Sequence, residues 1–273
     1  MANWLITGVG SGLGAAIVAA ALARGDRVCG TVRNAADATA FEASAPGLAT
    51  ALTLDLRDTA AIPGVVAAAE RELGHIDLLV NNAGYGMAGA IEESGMDQIR
   101  ALFDVNFFGA VAMIQAVLPA MRARRGGHIV NITSVSGWAP WSGTAIYGAS
   151  KFAMEGLGQT LADEVAPLGI KVTNVAPGGI KTGFGSRSLV EAATQIADYD
   201  GGAHMAKIVL KADHGTGDAA LAAKAILIAL DDPEPPINLL LGVDALHYAE
   251  DQIAALTARI ARWRELSLSI TPA

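Results

Sequence analysis

Apolar residues fall into seven short runs along the chain, separated by longer stretches of helical composition. The runs are almost continuously apolar, which predicts strands buried on both faces of a sheet. Segments rich in Ala and Leu, such as 59–73, 97–123 and 145–166, fill most of the intervals and predict helices. This alternation predicts a single doubly wound α/β domain of Rossmann type over residues 1–273, with a seven-stranded parallel sheet and helices on both faces. The seven runs are NWLITG, RVCGTV, ALTLDL, IDLLVNNAG, HIVNITSV, KVTNVAP and INLLLG.

Two regions depart from this rhythm. Residues 183–217 are long and dotted with glycine, as in a substrate-binding lid, with disorder as the alternative. The tail 244–266 has apolar residues at helical intervals, so it packs on the domain core or on another subunit, with core packing as the simpler interpretation. The apolar positions of that tail are Leu246, Ile253, Leu256, Ile260 and Trp263.

Composition and charge exclude several classes of protein. The hydrophobic fraction of 52% supports a large core, and 19 basic against 27 acidic residues give a net charge of −8, which would repel a nucleic acid. A single cysteine, Cys29, allows no internal disulfide, and the first residues lack a secretory signal, so we expect a cytoplasmic protein. No apolar run reaches the roughly 18 residues of a membrane span, and we expect no membrane partner.

A glycine-rich turn, TGVGSGLG at 7–14, follows the first predicted strand and precedes an apolar helix. Gly8, Gly12 and Gly14 would permit a tight turn, a close approach to a phosphate and close helix packing, while free amides and the helix dipole hold a pyrophosphate. A plain turn is the alternative, but this position at the first strand of an α/β pattern favours a dinucleotide site.

The end of the second strand, GTVRNAAD, bears on the choice of dinucleotide. Val32 cannot accept a hydrogen bond from a ribose hydroxyl, whereas Arg33 can pair with a 2′-phosphate. The pattern therefore favours NADP(H), with NAD(H) as the alternative. Arg33 could also be a solvated charge, since no other residue near it in sequence is basic.

Tyr147 and Lys151 are four positions apart at the start of a predicted helix, with only small residues between them. At that spacing both side chains lie on one helix face and their polar ends can converge. An amphipathic surface pair is the alternative for these two residues considered alone.

Six motifs in order identify the chain as similar to the short-chain dehydrogenase/reductase family over nearly its full length. The subgroup it most resembles is that of NADP-linked carbonyl, hydroxysteroid or retinol-type reductases, from TVRN at 31–34 and the long tail. The motifs are TGVGSGLG at 7–14, NNAG at 81–84, VNFFG with Asn106, IVNITSVSG with Ser134, YGASK at 147–151 and PGGIKT at 177–182.

The resemblance implies a catalytic role for four residues. Tyr147 would be the acid in reduction and the base in oxidation, with Lys151 favouring its phenolate and binding the nicotinamide ribose. Ser134 would bind the substrate oxygen, with Thr133 and Ser136 as weaker alternatives. Asn106 would hold a water that links Lys151 to solvent, or it is a satisfied core amide.

The resemblance also implies a cofactor site at the carboxyl ends of the strands. Asp55 would meet the adenine, and Ile180 and Thr182 would contact the nicotinamide amide. NNAG could also serve mainly to brace the fourth strand beneath the cofactor. Besides Tyr147 and Lys151, the expected cofactor-binding residues are Thr7, Gly8, Gly10, Ser11, Gly12, Leu13, Gly14, Arg33, Asn34, Asp55, Leu56, Asn82, Ala83, Gly84, Pro177, Gly178, Ile180 and Thr182.

The expected substrate is a hydrophobic ketone, aldehyde or alcohol. With Ser134 and Tyr147, the substrate contacts would be Trp138, Trp141 and Phe184, and Tyr85 and Met87 could also line the pocket. Packing or an oligomer contact is the alternative for both tryptophans. The scattered histidines predict no catalytic metal, and the absence of G-x-S-x-G argues against a hydrolase.

Two other functions are compatible with parts of this pattern. An epimerase or dehydratase would use the same cofactor and Tyr/Lys pair without net consumption of NADPH. A non-catalytic NADP-sensing protein would need no acid–base group, which the intact Asn, Ser, Tyr and Lys set argues against. The family resemblance further implies a homodimer or homotetramer formed through helices 97–123 and 145–166, with apolar faces that are wholly internal to one subunit as the alternative.

Overall fold

The structure is a computed structural model that describes residues 1–212 and 215–271. Positions 213 and 214 of the predicted lid and the last two positions of the predicted domain lie outside the described residues. The strands are β1 Asn3–Thr7, β2 Arg27–Val32, β3 Ala49–Thr53, β4 Leu78–Asn81, β5 Gly86–Ala88, β6 Gly127–Ile132, β7 Ile170–Pro177, β8 Ile180–Lys181, β9 Leu189–Glu191, β10 Gly217–Asp218 and β11 Asn238–Leu241. The helices are α1 Gly12–Ala23, α2 Ala35–Ser44, α3 Ile62–Leu73, α4 Met96–Phe103, α5 Ala110–Arg124, α6 Ala145–Val165, α7 Phe184–Arg187, α8 Ala203–Lys211, α9 Ala219–Leu230 and α10 Val243–Leu268.

The predicted seven-stranded parallel sheet is confirmed. Its order is β11-β7-β6-β4-β1-β2-β3, and every neighbouring pair is parallel. The third strand begins and ends earlier than the apolar run 51–56 indicates, because Ala49 already pairs with Val28 in the ladder. The chain reverses its direction of winding between β1 and β4, which is where open α/β sheets bind ligands.

Successive residues of the central strands face two separate cores. Leu5 and Leu79 point toward α3, α5 and α6, whereas their neighbours Ile6 and Val80 point toward α1, α2 and α9. This two-sided burial explains why the strand sequences are continuously apolar. It also fixes the sheet edge at which the ends of β1 and β4 meet.

The helical stretch from α4 to α5 contains a π-helical turn, Asp104–Gly109. By length and composition alone, Met96–Arg124 could cross a membrane. Here it packs Met113 and Val117 into the core beneath the sheet. Core helices pass the same composition test, so the absence of a membrane partner stays a prediction.

The lid and the tail both form regular elements. Two small parallel pairs, β5 with β9 and β8 with β10, connect the predicted lid to the main body. The tail forms one 26-residue helix, α10, which buries only Ala245 and Ala249. Its apolar stripe stays on the surface, with Leu256 44% and Trp263 54% exposed, so the core-packing interpretation of the tail is wrong.

Candidate active site

The glycine-rich turn leaves β1 in a conformation that depends on glycine. Gly8 and Gly12 have φ angles of +72° and +60°, which side chains other than glycine rarely adopt. A Cβ on Gly14 would overlap the carbonyl oxygen of Gly8 and the side-chain amide of Asn82. The tight turn and the close helix packing predicted for these glycines therefore have a structural basis, whereas the approach to a phosphate stays a prediction. By contrast, a Cβ on Gly10 would meet open space.

The NNAG segment after β4 holds this turn in place. Asn82 Nδ2 donates to the carbonyl oxygens of Thr7 and Gly8 at 2.9 Å, and the backbone amides of Asn82 and Ala83 donate to Thr7 Oγ1 at 3.0 Å. Because α1 begins at Gly12, its first amides have no partner within the helix and can bind an anion. The turn thus fits the pyrophosphate of a dinucleotide.

The adenosine end of the site contains a second arginine that the sequence analysis missed. Arg33 follows β2 and is exposed, while Arg57 follows the adjacent strand β3. The guanidinium of Arg57 hydrogen-bonds both carboxylate oxygens of Asp55 and, with a smaller contribution from Arg33, lowers the pKa of Asp55 to about 2. No residue near Arg33 in the sequence is basic, but Arg57 acts on the same carboxylate as Arg33. Comparing the ends of adjacent predicted strands could have found Arg57.

Other predicted residues of this end have structural partners of their own. Asn34 caps α2 by accepting from the Asp37 amide at 2.9 Å. Leu56 is buried in the core and packs on Gly109, so only its backbone is available to a cofactor. The contact of Asp55 with the adenine stays a prediction.

Tyr147 and Lys151 lie in the first two turns of α6, at the carboxyl edge of the sheet. Lys151 Nζ is 5.9 Å from the centre of the Tyr147 ring and donates to the Ile132 carbonyl at 2.9 Å. Lys151 is buried and Tyr147 is half-buried, and loss of solvent raises the pKa of Tyr147 and lowers the pKa of Lys151 to about 8. The surface-pair alternative is therefore wrong, because Lys151 is only 6% exposed.

Ser134 is next to this pair and is buried. Ser134 lies close enough to Tyr147 to offset part of the effect of burial on the pKa of the phenol, and its hydroxyl accepts from the Ser136 amide at 3.1 Å. Thr133, one of the alternatives, donates instead to Glu155 and to the Val175 carbonyl on the far side of the strand end. Ser134 is thus the hydroxyl that shares a site with Tyr147.

Asn106 lies in the π-helical turn, a feature that often marks functional sites. Its side chain accepts from the Tyr85 amide and donates to the Tyr85 carbonyl and to Ser150 at 3.0, 2.9 and 3.2 Å. The structure therefore shows a satisfied core amide. It borders the catalytic site, since a Cβ on Gly84 would be 3.0 Å from Asn106 Oδ1 and 3.6 Å from Lys151 Nζ. The water-holding role of Asn106 stays a prediction.

The segment after β7 closes the site from the opposite side. Thr182 lies against Gly12, where an added Cβ would be 3.4 Å from the Thr182 Cβ. The Gly178 amide donates to the Leu241 carbonyl, and the Gly179 amide donates to Asp244 at 2.6 Å. Asp244, in the first turn of α10, is a positioning residue that the sequence analysis did not single out. The tail helix thus holds the predicted nicotinamide loop, which includes Pro177 and Ile180.

The predicted substrate residues separate into two groups. Phe184, the first residue of α7, packs against Tyr147 and Gly86, and Met87 follows Gly86 in β5 and is buried. Trp138 is half-buried, and its indole N–H has no hydrogen-bond partner within the described part of the chain. Trp141 instead lines a cavity of about 450 Å³ with residues of the lid, and Tyr147 is not among the lining residues.

Two further observations concern expected absences. Within residues 1–212 and 215–271, no group of three or more His, Cys, Asp or Glu residues is arranged to hold a metal ion. Cys29 is buried, and burial raises its thiol pKa to about 11, so it is an unreactive core residue.

A doubly wound fold with a glycine turn beside a Ser–Tyr–Lys cluster is typical of oxidoreductases that bind a dinucleotide. The family profile described as short chain dehydrogenase matches residues 2–191. The chain belongs to the short-chain dehydrogenase family.

Known proteins of similar sequence cover nearly the same length. The oxidoreductase BOA17 of Botryotinia fuckeliana (strain B05.10) is 34% identical over 273 residues, which cover 97% of this chain and 98% of that protein. The 3-ketodihydrosphingosine reductase of Bacteroides thetaiotaomicron is 35% identical over 87% of each chain.

Solved structures of the family share the fold. A short-chain dehydrogenase from Streptomyces avermitilis is 37% identical, with a TM-score of 0.94 over 99% of this chain and 100% of that one. A short-chain dehydrogenase from Sphingobium yanoikuyae in complex with NADPH is 25% identical, with a TM-score of 0.73 over 100% and 97% of the two chains.

Proposed function

We propose that the protein is an NADPH-dependent reductase that interconverts a hydrophobic ketone or aldehyde and its alcohol. The observation that carries the proposal is the convergence of Ser134, Tyr147 and Lys151 at the sheet edge that also carries the glycine turn. A pure binding protein has no use for a half-buried phenol beside a buried ammonium. An oxidoreductase needs both.

The residues of the chain supply binding and proton transfer. The amides of the turn at 8–14 would hold the pyrophosphate, Arg33 with Arg57 the 2′-phosphate, and Lys151 the nicotinamide ribose. When bound, the nicotinamide supplies the hydride. The NADPH complex of the Sphingobium relative and the two arginines at the adenosine end support NADPH over NADH.

Tyr147 is proposed to give its proton to the oxygen of the reduced carbonyl. Burial raises the pKa of Tyr147, so the phenol keeps its proton at neutral pH, as an acid in reduction must. Ser134 would orient the same oxygen by a hydrogen bond. Lys151 offers a positive charge near the ring, which stabilises the phenolate left behind.

The apolar surroundings of Tyr147 support a hydrophobic substrate. Phe184 lies next to the phenol and offers no charged partner to a substrate. The reductase of Bacteroides thetaiotaomicron that resembles this chain is named for a ketone, 3-ketodihydrosphingosine. A hydrophobic ketone is thus the substrate class to test first.

A panel of ketones and aldehydes, scored by the loss of NADPH absorbance, tests this proposal. We expect turnover with apolar carbonyl compounds and a loss of about 10²–10⁴-fold in Tyr147→Phe, with NADPH binding intact by fluorescence titration. Tyr248→Phe, on an exposed face of α10, is the matched control. Retained activity in Tyr147→Phe would reject the mechanism. Substrate conversion without net NADPH consumption would favour an epimerase or dehydratase. Binding of NADPH without any turnover would favour a sensing protein.

A further inference from the structure

Glu155 is a buried carboxylate that the proposed mechanism does not use. It lies on α6 one turn beyond Lys151, on the face that carries Tyr147, and is only 4% exposed. Its Oε1 is 2.5 Å from the Thr133 hydroxyl, which donates to it, and Oε2 accepts from Asn174 Nδ2 at 3.1 Å. A buried charge of this kind is costly unless it has a structural or chemical role.

Three asparagines form a chain of hydrogen bonds that ends on this carboxylate. Asn81, Asn131 and Asn174 occupy matched register positions on β4, β6 and β7. Asn81 Nδ2 donates to Asn131 Oδ1, and Asn131 Nδ2 donates to Asn174 Oδ1, both at 3.0 Å. All donors point the same way, so the last amide needs an acceptor, and Glu155 provides it. This series of hydrogen bonds fixes the position of the Glu155 carboxylate.

The position of Glu155 relates it to two catalytic residues. Thr133 directly precedes Ser134, and Gly137 in the following turn packs against the side chain of Glu155. The Lys151 ammonium donates to the Ile132 carbonyl, so Glu155 acts on it through space and not by a direct ion pair. Burial lowers the pKa of Lys151, and the negative charge of Glu155 opposes that effect.

The other groups around Glu155 carry no charge. The residues that face it from β6, the following turn and β7 are Thr133, Gly137 and Asn174. The charges of Arg57 and Asp104 influence the pKa of Tyr85. Among the residues that the structure describes, Glu155 is the charged group that acts on Lys151.

We propose that Glu155 is a positioning residue for proton transfer, whose carboxylate keeps the Lys151 ammonium charged and anchors the turn that carries Ser134. The role in catalysis rests on the proposed function, whereas the effect on Lys151 does not. Without Glu155, Lys151 would lose its proton at lower pH and would no longer stabilise the phenolate of Tyr147.

The test compares Glu155→Gln with Glu164→Gln, an exposed change on the same helix. NMR of lysine labelled with ¹³C at Cε, assigned with Lys151→Met, reports the titration of Lys151 without any substrate. We expect its midpoint to fall by about one pH unit in Glu155→Gln and to stay unchanged in Glu164→Gln, while Glu155→Asp restores most of it. An unchanged midpoint in folded Glu155→Gln would overturn the proposal, whether or not the protein reduces ketones.

The pH profile separates this role from simple packing. If the wild-type protein oxidises an alcohol, the rising limb of kcat/KM with pH should move to higher pH in Glu155→Gln, whereas a packing defect would lower the profile without moving it. If Glu155→Gln does not fold, ¹³C-carboxyl NMR of the wild-type protein remains decisive. A Glu155 carboxyl that is protonated at pH 7 would refute the proposal, and an ionised one that senses the titration of Lys151 supports it.

Discussion

The ring of Phe184 packs directly on the ring of Tyr147, with 5.9 Å between the centroids and 49° between the planes. Phe184 begins α7 in the lid, whereas Tyr147 belongs to α6. The predicted lid therefore touches the Tyr147 phenol through an apolar side chain. If Tyr147 acts on a substrate as proposed, that substrate must pass or displace this ring.

Phe184→Ala is expected to widen substrate selectivity. Removing the ring opens apolar space beside Tyr147, so kcat/KM should rise for bulky ketones relative to small ones by roughly tenfold. NADPH affinity should change little, because the ring packs on Tyr147 and Gly86 and not on the glycine turn. Steady-state kinetics on two ketones of different size measures the ratio, with Ile228→Ala on the surface of α9 as control. An unaltered ratio would remove Phe184 from the substrate site.

Arg33→Ala is expected to weaken the binding of NADPH but not that of NADH. Losing a charge-assisted hydrogen bond to a phosphate costs about 1.5–3 kcal/mol, so KM for NADPH should rise by roughly tenfold or more, while KM for NADH stays unchanged. Arg57→Ala should act in the same direction but less, since Arg57 is already paired with Asp55. Arg71→Ala, an exposed position on α3, is the control. Equal efficiency of NADH and NADPH in the wild type would contradict the NADPH proposal.

Gly14→Ala is expected to destabilise the fold, because its methyl group has no space between the Gly8 carbonyl and Asn82. Overpacking of this kind costs about 1–3 kcal/mol of the free energy of unfolding. Gly10→Ala, four residues earlier in the same turn, faces open space and should leave stability unchanged. Urea denaturation of both variants measures the difference. Equal stability of the two variants would show that the close approach at Gly14 has been misassigned.

The lid is expected to loosen at alkaline pH. His204 on α8 bonds Glu93 through Nε2 at 2.6 Å and Asp200 through Nδ1 at 2.7 Å, and these carboxylates raise the pKa of His204. A carboxylate oxygen lies at each ring nitrogen, with Gln195 Nε2 also 3.3 Å from Nδ1, and the two carboxylates favour the doubly protonated imidazole. The contribution of His204 to the stability of the lid is complete below the ordinary pKa of 6.5 and is lost as the pH rises through the raised pKa.

The stability of the same cluster is also lost at acidic pH. Burial raises the pKa of Glu93, but hydrogen bonds from Ile196, Ala90 and His204 outweigh that effect and lower it. The contribution of Glu93 to the stability of the lid is present above the ordinary pKa of 4.5 and is lost as the pH falls through the lowered pKa. Limited proteolysis of the lid should therefore be slowest between these limits and faster at pH 9, whereas His204→Gln should be cleaved quickly at neutral pH as well. Cleavage that does not depend on pH in the wild type would show that the cluster of His204, Glu93 and Asp200 does not hold the lid.

We propose that the chain assembles as a homodimer or homotetramer through the helices 97–123 and 145–166. The exposed rings of Phe108 and Phe152, 51% and 42% accessible, support this surface. Light scattering should give a multiple of 27.8 kDa, and Phe108→Glu with Phe152→Glu should reduce it. A monomeric wild-type mass would refute assembly. A mass that falls only with Leu256→Glu and Trp263→Glu would place the interface on α10 instead.

The sequence by itself determined the elements and the local chemistry of this protein. Seven continuously apolar runs predicted the parallel sheet because strands buried on both faces require apolar residues at every position. Glycines in the turn at 8–14 and the four-residue spacing of Tyr147 and Lys151 are likewise local, because a turn conformation and a helix face depend on neighbouring residues.

Only the tertiary structure decided which distant residues meet. Arg57 joins Arg33 because β2 and β3 are adjacent, and Asn81, Asn131 and Asn174 align because three parallel strands share one register. The packing of Phe184 on Tyr147 likewise depends on how the lid folds back. Strand order and lid position arise from long-range packing, which no local pattern encodes. For the same reason, the helical spacing of the tail predicted α10 but not that its apolar stripe would remain on the surface.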